Sequence, residues 1–405
     1  MLNVSNTSLL KNKALLHLLS ARVSASFAMQ MVTIAVGWQM YAITDNAFYL
    51  GLVGLVQFLP MFALTLVVGY VADRFNRKTI VALCQAFAAI CFLILAYESH
   101  AGSITKEKIL IVVFFIGAIN AFQGPPMQAL LPNIVSKEIF PRAAALSASA
   151  FQTATIIGPA LGGVLYSLGP TAVYLVSAFL ATFTSINIFS IHMEEQVQST
   201  KEPVTLKFML SGISFIKGKP IILGAISLDL FAVLFGGATA LLPVYASKIL
   251  NVGSLGLGIL RSAPAVGALL MSAYLTRHPL KNKVGHIMFG AVIVFGLSTI
   301  LFAVSTSIIL SLLALFILGA SDVISVVIRS TLVQTQTPDN MRGRVGSVNQ
   351  LFIGTSNQLG EFESGITAAY LGAVHAVILG GVGTIMVVIL WTKLFPKLFN
   401  VEKLS

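Results

Sequence analysis

Residues 109–121 read Ile-Leu-Ile-Val-Val-Phe-Phe-Ile-Gly-Ala-Ile-Asn-Ala, and residues 378–391 read Ile-Leu-Gly-Gly-Val-Gly-Thr-Ile-Met-Val-Val-Ile-Leu-Trp. Each run is apolar around the full circumference of a helix and carries no charge. A strand of a membrane barrel would alternate apolar and polar residues, and these runs do not. They suit the hydrocarbon core of a bilayer, which a helix of about 20 apolar residues crosses.

The rest of the chain has the same character. Its 405 residues are 57% apolar and 10% charged, where a soluble domain is about 25% charged. A soluble body of this size could not cover its surface, so an ordinary cytosolic enzyme is excluded. No stretch is long and polar enough for a separate soluble domain. The pattern predicts an all-α integral membrane protein with 12 transmembrane helices, near 22–44, 48–72, 79–97, 108–131, 143–167, 169–190, 220–246, 255–276, 286–305, 307–329, 345–369 and 374–395. The apolar run Ala14–Leu19 is too short for a secretory leader, and Arg22 opens a full-length span. Residues 1–21 therefore read as a retained cytoplasmic segment. Cys84 and Cys91 sit seven apart in one apolar run and read as small apolar residues rather than a disulfide.

Net charge is +11, with 25 Lys and Arg. In a membrane protein this records the positive-inside bias rather than a nucleic-acid partner. With the N-terminus inside, the inner segments hold Lys11, Lys13, Arg22; Arg74, Arg77, Lys78; Lys137, Arg142; Lys201, Lys207, Lys217, Lys219; Arg277, Lys281, Lys283; Arg329, Arg342, Arg344; and Lys393, Lys397, Lys403. The outer loops hold Lys106, Lys108 and Lys248, and Arg261 is the one basic residue placed within a span. Both termini are therefore expected in the cytoplasm. The polar stretch 191–219 lies halfway along the chain and reads as a cytoplasmic linker with an interfacial helix near Leu206–Ile216. It divides the chain into an N-terminal six-helix half, 1–190, and a C-terminal six-helix half, 220–405. Residues 135–146 and 336–347 form a weak repeat at matching places in the two halves. Two such halves around a midplane site are a recurrent plan of secondary transporters.

Ionisable residues within spans are functional candidates, and of 14 acids only Asp229, Asp322, Glu361 and Glu363 fall there. Asp229, nine residues beyond Pro220, lies about 14 Å into its span and is the first proton-coupling candidate. A carboxylate held away from water can load and release a proton as access alternates. Asp322 sits in the inner half of its span. Glu361 and Glu363 point about 200° apart on a helix, so they cannot share one cavity; Glu361 follows the polar run Thr355–Gln358 and is preferred. Arg261 either pairs with a span acid, attracts an anionic substrate or snorkels to headgroups. Uncharged polar residues and rings suggest a substrate cavity: Gln30, Thr33, Trp38, Tyr41, Gln57, Phe58, Asn120, Gln123, Gln152, Asn357 and Gln358. Each of these alone reads equally well as glue between helices.

Several chemistries are absent from the sequence. It has no G-x-x-x-x-G-K-[ST] phosphate loop and no H-E-x-x-H or paired C-x-x-C. The six histidines fall in loops or flanks and do not cluster. No cofactor, metal or enzymatic activity is expected.

Between the second and third spans stands Gly69-Tyr70-Val71-Ala72-Asp73-Arg74-Phe75-Asn76-Arg77-Lys78. It resembles the major facilitator signature G-x-x-x-D-R-x-G-R-[RK]. Asn76 replaces the second glycine, and Asn also tolerates a left-handed turn. The resemblance implies that Asp73 meets the start of span eleven, which carries Arg342 and Arg344, and helps close the cytoplasmic side. Gly158-Pro159-Ala160-Leu161-Gly162-Gly163 in span five resembles the antiporter motif of drug and proton exporters in this superfamily. Thr337–Val345, Ser356–Gly365 and Gly124–Pro132 resemble the enterobactin-exporter branch, which also contains macrolide-efflux-like proteins. The resemblance implies a monomeric, proton-driven exporter of a bulky organic solute in the bacterial inner membrane, with a siderophore ahead of hydrophobic drugs. Its partners would be lipid, protons and a small-molecule substrate. A broad-specificity drug or macrolide exporter is the alternative, and a non-transporting membrane sensor a remote one.

Overall fold

The computed structural model describes residues 12–64, 67–68, 71, 74–136, 138–191 and 206–403. Every regular element among them is helical. Ten segments are long and apolar enough to cross a membrane. These are α1 Lys13–Thr44, α3 Arg77–His100, α4 Lys106–Ile134, α5 Phe140–Tyr166, α6 Pro170–Phe189, the segment Pro220–Ile249 that begins with α8 Pro220–Phe235, α9 Gly253–Arg277, α10 Val284–Val304, α11 Ile308–Gln336 and α13 Ala373–Leu394. The two remaining expected spans differ from these. α2, Ala47–Ala63, has 17 residues. α12, Asp339–Leu371, has 33 residues but is too polar to meet the same criterion. A short helix, α7 Leu206–Lys217, falls where the linker helix is expected.

Several boundaries correct the sequence reading. α1 begins at Lys13, well before Arg22, because Asn12 accepts from the Leu15 amide at 3.1 Å and caps the helix. Leu15 and Leu18 are fully buried with Val81, Leu130 and Ile188, so Ala14–Leu19 is core. His17 lies within α1 rather than in a flank, with its Nδ1 2.7 Å from Asn187 Oδ1. Asn76 is not left-handed: its φ is −61°, and its side chain caps α3 by accepting from the Lys78 amide at 3.0 Å. α11 runs to Gln336, beyond the expected end at 329. Lys283 does adopt the left-handed conformation, and Gly372, at φ 84°, turns α12 into α13.

Cα packing divides the described residues into two compact units, one within 12–39 and 59–191, the other within 40–58 and 206–403. In the first unit, neutral hydrogen bonds link the helices. Gln39 on α1 accepts from the buried Tyr174 hydroxyl on α6 at 2.8 Å and donates to Ser99 on α3 at 3.0 Å. Ser185 on α6 donates to the Ala82 carbonyl of α3 at 2.8 Å. Gly158 and Gly162 of α5 lie against Gln30 and Met31 of α1, so two glycines of the expected antiporter motif serve close helix contact.

In the second unit, the segment after α8 loses regular α geometry. It continues as a 3-10 turn, Gly237–Leu241, one α turn, Leu242–Val244, and a π turn, Tyr245–Ile249. Gly236, Gly237 and Pro243 account for this, since two glycines weaken the helix and the proline removes a donor. A Cβ on Gly237 would collide with the Gly360 carbonyl of α12, so the break also permits close approach. α7 is docked on α12 rather than free: Ile216 is buried with Val345 and Val348, and Gly212 meets the Arg344 carbonyl.

α9 and α11 cross at Gly267 and Gly319, where a Cβ on either would strike the facing backbone carbonyl of Phe316 or Pro264. Gly319→Ala should therefore destabilise the protein by roughly 2 kcal/mol through overpacking. Gly290→Ala, which meets open space, should not. Thermal unfolding of both variants in detergent checks this; equal midpoints would contradict the crossing.

Candidate functional site

Two charged constellations lie in the second unit. In the first, Asp229 on α8 pairs with Arg329 on α11, Oδ2 to Nη1 at 3.2 Å, with side chains 7% and 5% exposed. Arg329 Nη1 also donates to Asn349 Oδ1 on α12 at 3.3 Å. Three helices therefore meet at one guanidinium. This corrects the sequence reading: Arg329 does not close its helix but is buried within α11, which runs on to Gln336, so Arg261 is not the only basic residue inside a candidate span. A signal for it was present. Ser-Thr-Leu-Val follows Arg329, and the next strong helix stop is Pro338, so the helix had to carry the arginine inside. Asp322, seven residues before Arg329, lies on the same helix and lines a small pocket with Asp229.

In the second constellation, Glu361 on α12 stands 4.0 Å from Arg261 on α9, both about one quarter exposed. Arg261 Nη1 also donates to the Thr239 carbonyl at 3.0 Å. That carbonyl belongs to the 3-10 turn after α8. Gly54 of α2 lets Glu361 lie close, since a Cβ there would come within 2.9 Å of the carboxylate. Gln358, three residues before Glu361 and so on the same face, holds its side-chain oxygen buried and without a hydrogen bond. Glu363 instead accepts from Thr367 of its own helix at 2.9 Å. The two glutamates thus have different surroundings, as their spacing predicts.

The other candidates are more dispersed. Gln123 accepts from the buried Gln85 at 2.6 Å, which is the interhelical use. Thr33 and Asn357 bond to carbonyls of their own helices, Met29 and Ile353, at 2.9 and 2.8 Å. Trp38 packs edge-on to Tyr166 at 6.4 Å. Tyr41 and Phe58 are buried; Gln30, Gln57, Asn120 and Gln152 are half-buried. Of the candidates, the structure brings Arg261 to the Glu361 carboxylate, and Gln358 stands nearly one turn before Glu361 on the same helix.

Gly69 and Asp73 lie outside the described residues, as do 192–205 of the expected linker. Arg74 is exposed and Arg77 half-buried at the start of α3. Lys78 ties off α6 by donating to the Phe189 and Ile191 carbonyls at 3.1 and 2.8 Å. Arg342 pairs with Asp339 of its own helix at 2.6 Å, and Arg344 donates to Ser211 on α7 at 3.2 Å. Gly163 and Pro159 are buried in α5.

The sequence model of the Major Facilitator Superfamily matches residues 18–360. The enterobactin exporter EntS of Citrobacter koseri is 27% identical, over 97% of this chain and 94% of its own. EntS of Salmonella paratyphi A is 25% identical, over 99% and 97%. Among solved structures, the nucleoside transporter NupG superposes with a TM-score of 0.70 at 14% identity, over 94% of this chain and 99% of that one. The POT family transporter PepTSo gives 0.74 at 11% identity, over 96% and 98%. These last two likenesses bear on fold.

Removing one partner of a buried ion pair strands a charge and costs about 3–5 kcal/mol. Arg329→Met should therefore sharply lower thermal stability in detergent. Asp229→Leu combined with Arg329→Met should recover most of the loss. A double-mutant cycle with additive losses would show that the two residues do not act as a pair.

Proposed function

As the chain belongs to the Major Facilitator Superfamily, a family of transporters rather than enzymes, we propose that it is a proton-coupled exporter. Its substrate is a bulky organic solute, and a catechol-bearing siderophore fits best. It works by alternating access as a monomer in the bacterial inner membrane. The proposal includes twelve spans, with α2 and α12 among them, both termini in the cytoplasm, and neither cofactor nor nucleic acid.

The observation that carries this reading is the Glu361–Arg261 pair beside the interrupted segment after α8. Broken helices with exposed carbonyls are the usual setting for substrate and coupling-ion sites in transporters. The pair is long and only partly buried, so it opens at lower cost than a short, dry one. Its acceptors are the Glu361 carboxylate and the Gln358 oxygen. Catechol hydroxyls donate to acceptors of this kind, and Arg261 is placed to meet a catecholate or carbonyl oxygen. A proton and a catechol donor then compete for one carboxylate, which is the requirement for exchange. The EntS relatives, matched over nearly the whole chain, support the substrate class. Asp229, tied to Arg329, is a weaker proton carrier on this geometry than the sequence reading placed it.

The test is accumulation of iron-free enterobactin in inside-out vesicles with an acidic interior. Accumulation that a protonophore collapses is expected. Glu361→Gln should reduce gradient-driven accumulation at least about tenfold, consistent with loss of a coupling group inside a span, while equilibrium exchange persists. Unchanged gradient-driven accumulation would remove Glu361 as the coupling residue. Uptake of hydrophobic dyes but not enterobactin would replace the siderophore with drugs.

A further inference from the structure

The pocket between α8, α10 and α11 has a composition that the exporter reading does not use. Asp229, Ser321, Asp322 and Ser325 contribute its polar wall, and Val292 and Phe295 part of its apolar wall. It accommodates roughly one water-sized occupant. Ser325 is 3% exposed, and its hydroxyl makes no hydrogen bond among the described residues. Ser321 is likewise buried and donates to the Leu318 carbonyl at 2.9 Å, which leaves its oxygen lone pairs able to accept. Asp229 is paired with Arg329. Asp322 has no ion pair or hydrogen bond among the described residues.

Two carboxylates and one guanidinium make up the charged groups of the cluster, so with both acids ionised it carries one negative charge in excess, a costly arrangement inside membrane-spanning helices, and Asp322 must then hold either a proton or another cation. The donors lining the pocket are all oxygens, as hard cations require, and neither imidazole nor thiolate is present. A divalent ion would bring more charge than the cluster lacks, and among the described residues no third acid, histidine or cysteine completes a metal set. An anion would be repelled, and a neutral molecule would leave the charge uncancelled.

We infer that this pocket is a sodium site, formed by the Asp229 and Asp322 carboxylates with the Ser321 and Ser325 hydroxyls. The occupant is a bare monovalent cation bridging α8 and α11. The site is distinct from the Glu361–Arg261 pair: neither of those residues lines the pocket, and Arg261 is held at the Thr239 carbonyl, beyond the end of α8. The inference does not rest on the siderophore or on proton exchange, since cation binding is measurable without either.

The experiment is binding of radiolabelled sodium to the purified full chain in detergent, at mildly alkaline pH and with choline chloride holding ionic strength. Saturable binding of about one ion per chain is expected, displaced by lithium and not by choline. Asp322→Asn should abolish it. Ser325→Ala, which removes one neutral ligand without changing charge, should weaken affinity about fivefold, the equivalent of one lost polar contact. Ser347→Ala, whose hydroxyl bonds to the Gly343 carbonyl of its own helix, should bind as the unmodified chain does. Melting curves in choline chloride confirm that each variant is folded. Should Asp322→Asn fail to fold, Ser325→Ala decides the question. Absence of saturable binding in the unmodified chain, or undiminished affinity in Ser325→Ala, overturns the site. Failure to transport enterobactin leaves this result untouched.

Discussion

A charge placed inside a membrane-spanning helix must find a counter-charge within a few ångströms, because lipid and protein around it screen poorly. Arg329 is where the second unit meets this constraint. Its guanidinium takes Asp229 from α8 and Asn349 from α12, so one side chain on α11 fixes two neighbours. The same constraint explains how so polar a helix as α12 is accommodated. Its charged and amide groups are directed at specific partners, Asn349 at Arg329 and Glu361 at Arg261, rather than at lipid. The two sites differ in dryness. The Arg329 pair is almost fully buried and short, which suits a fixed joint. The Arg261 pair is longer and partly exposed, which suits a joint that opens.

The first unit solves the problem of joining helices by other means. Away from the charged ends at Lys78 and Lys108, its helices are joined by neutral contacts: an amide bridging a phenol and a hydroxyl at Gln39, an amide pair at Gln85 and Gln123, and a hydroxyl to a carbonyl at Ser185. Such bonds resist separation but carry no net charge, so their strength depends little on protonation. Glycines at 158 and 162 add close backbone contact between α5 and α1. Among the described residues the buried ion pair and both span acids with cationic neighbours belong to the second unit.

The fold class was legible because apolar runs such as 109–121 leave few alternatives, and the opposed directions of Glu361 and Glu363 followed from helical spacing alone. What the sequence did not reveal depends on boundaries and on partners distant in the chain. A span closed at its first basic residue leaves Arg329 in a loop, although apolar Leu and Val follow it. Pairing with Asp229, one hundred positions away, leaves no local trace. Analogy with the glycine it replaces suggests a left-handed turn at Asn76, but its short amide serves instead as a helix cap. The break after α8 was foreshadowed by Gly236-Gly237 and Pro243, yet a straight span through them is equally compatible with the sequence. Its cause becomes visible only where Gly237 meets Gly360.

The composition of α12 has a consequence for how the protein is made. A charged residue at the centre of a segment costs about 3 kcal/mol on insertion from the translocon, and this helix carries two glutamates as well as Asn349, Gln350, Asn357 and Gln358. It is a poor candidate to partition into lipid alone as it leaves the ribosome. Its partners for those groups, Arg261 and Arg329, are synthesised before it, and the strongly apolar α13 follows across the single residue Gly372. The last two helices are thus suited to enter as a hairpin, drawn in by α13 and received by arginines already in place. With α12 as a span, synthesis would have an order, in which the polar strip of this helix is the last part of the interior to leave water.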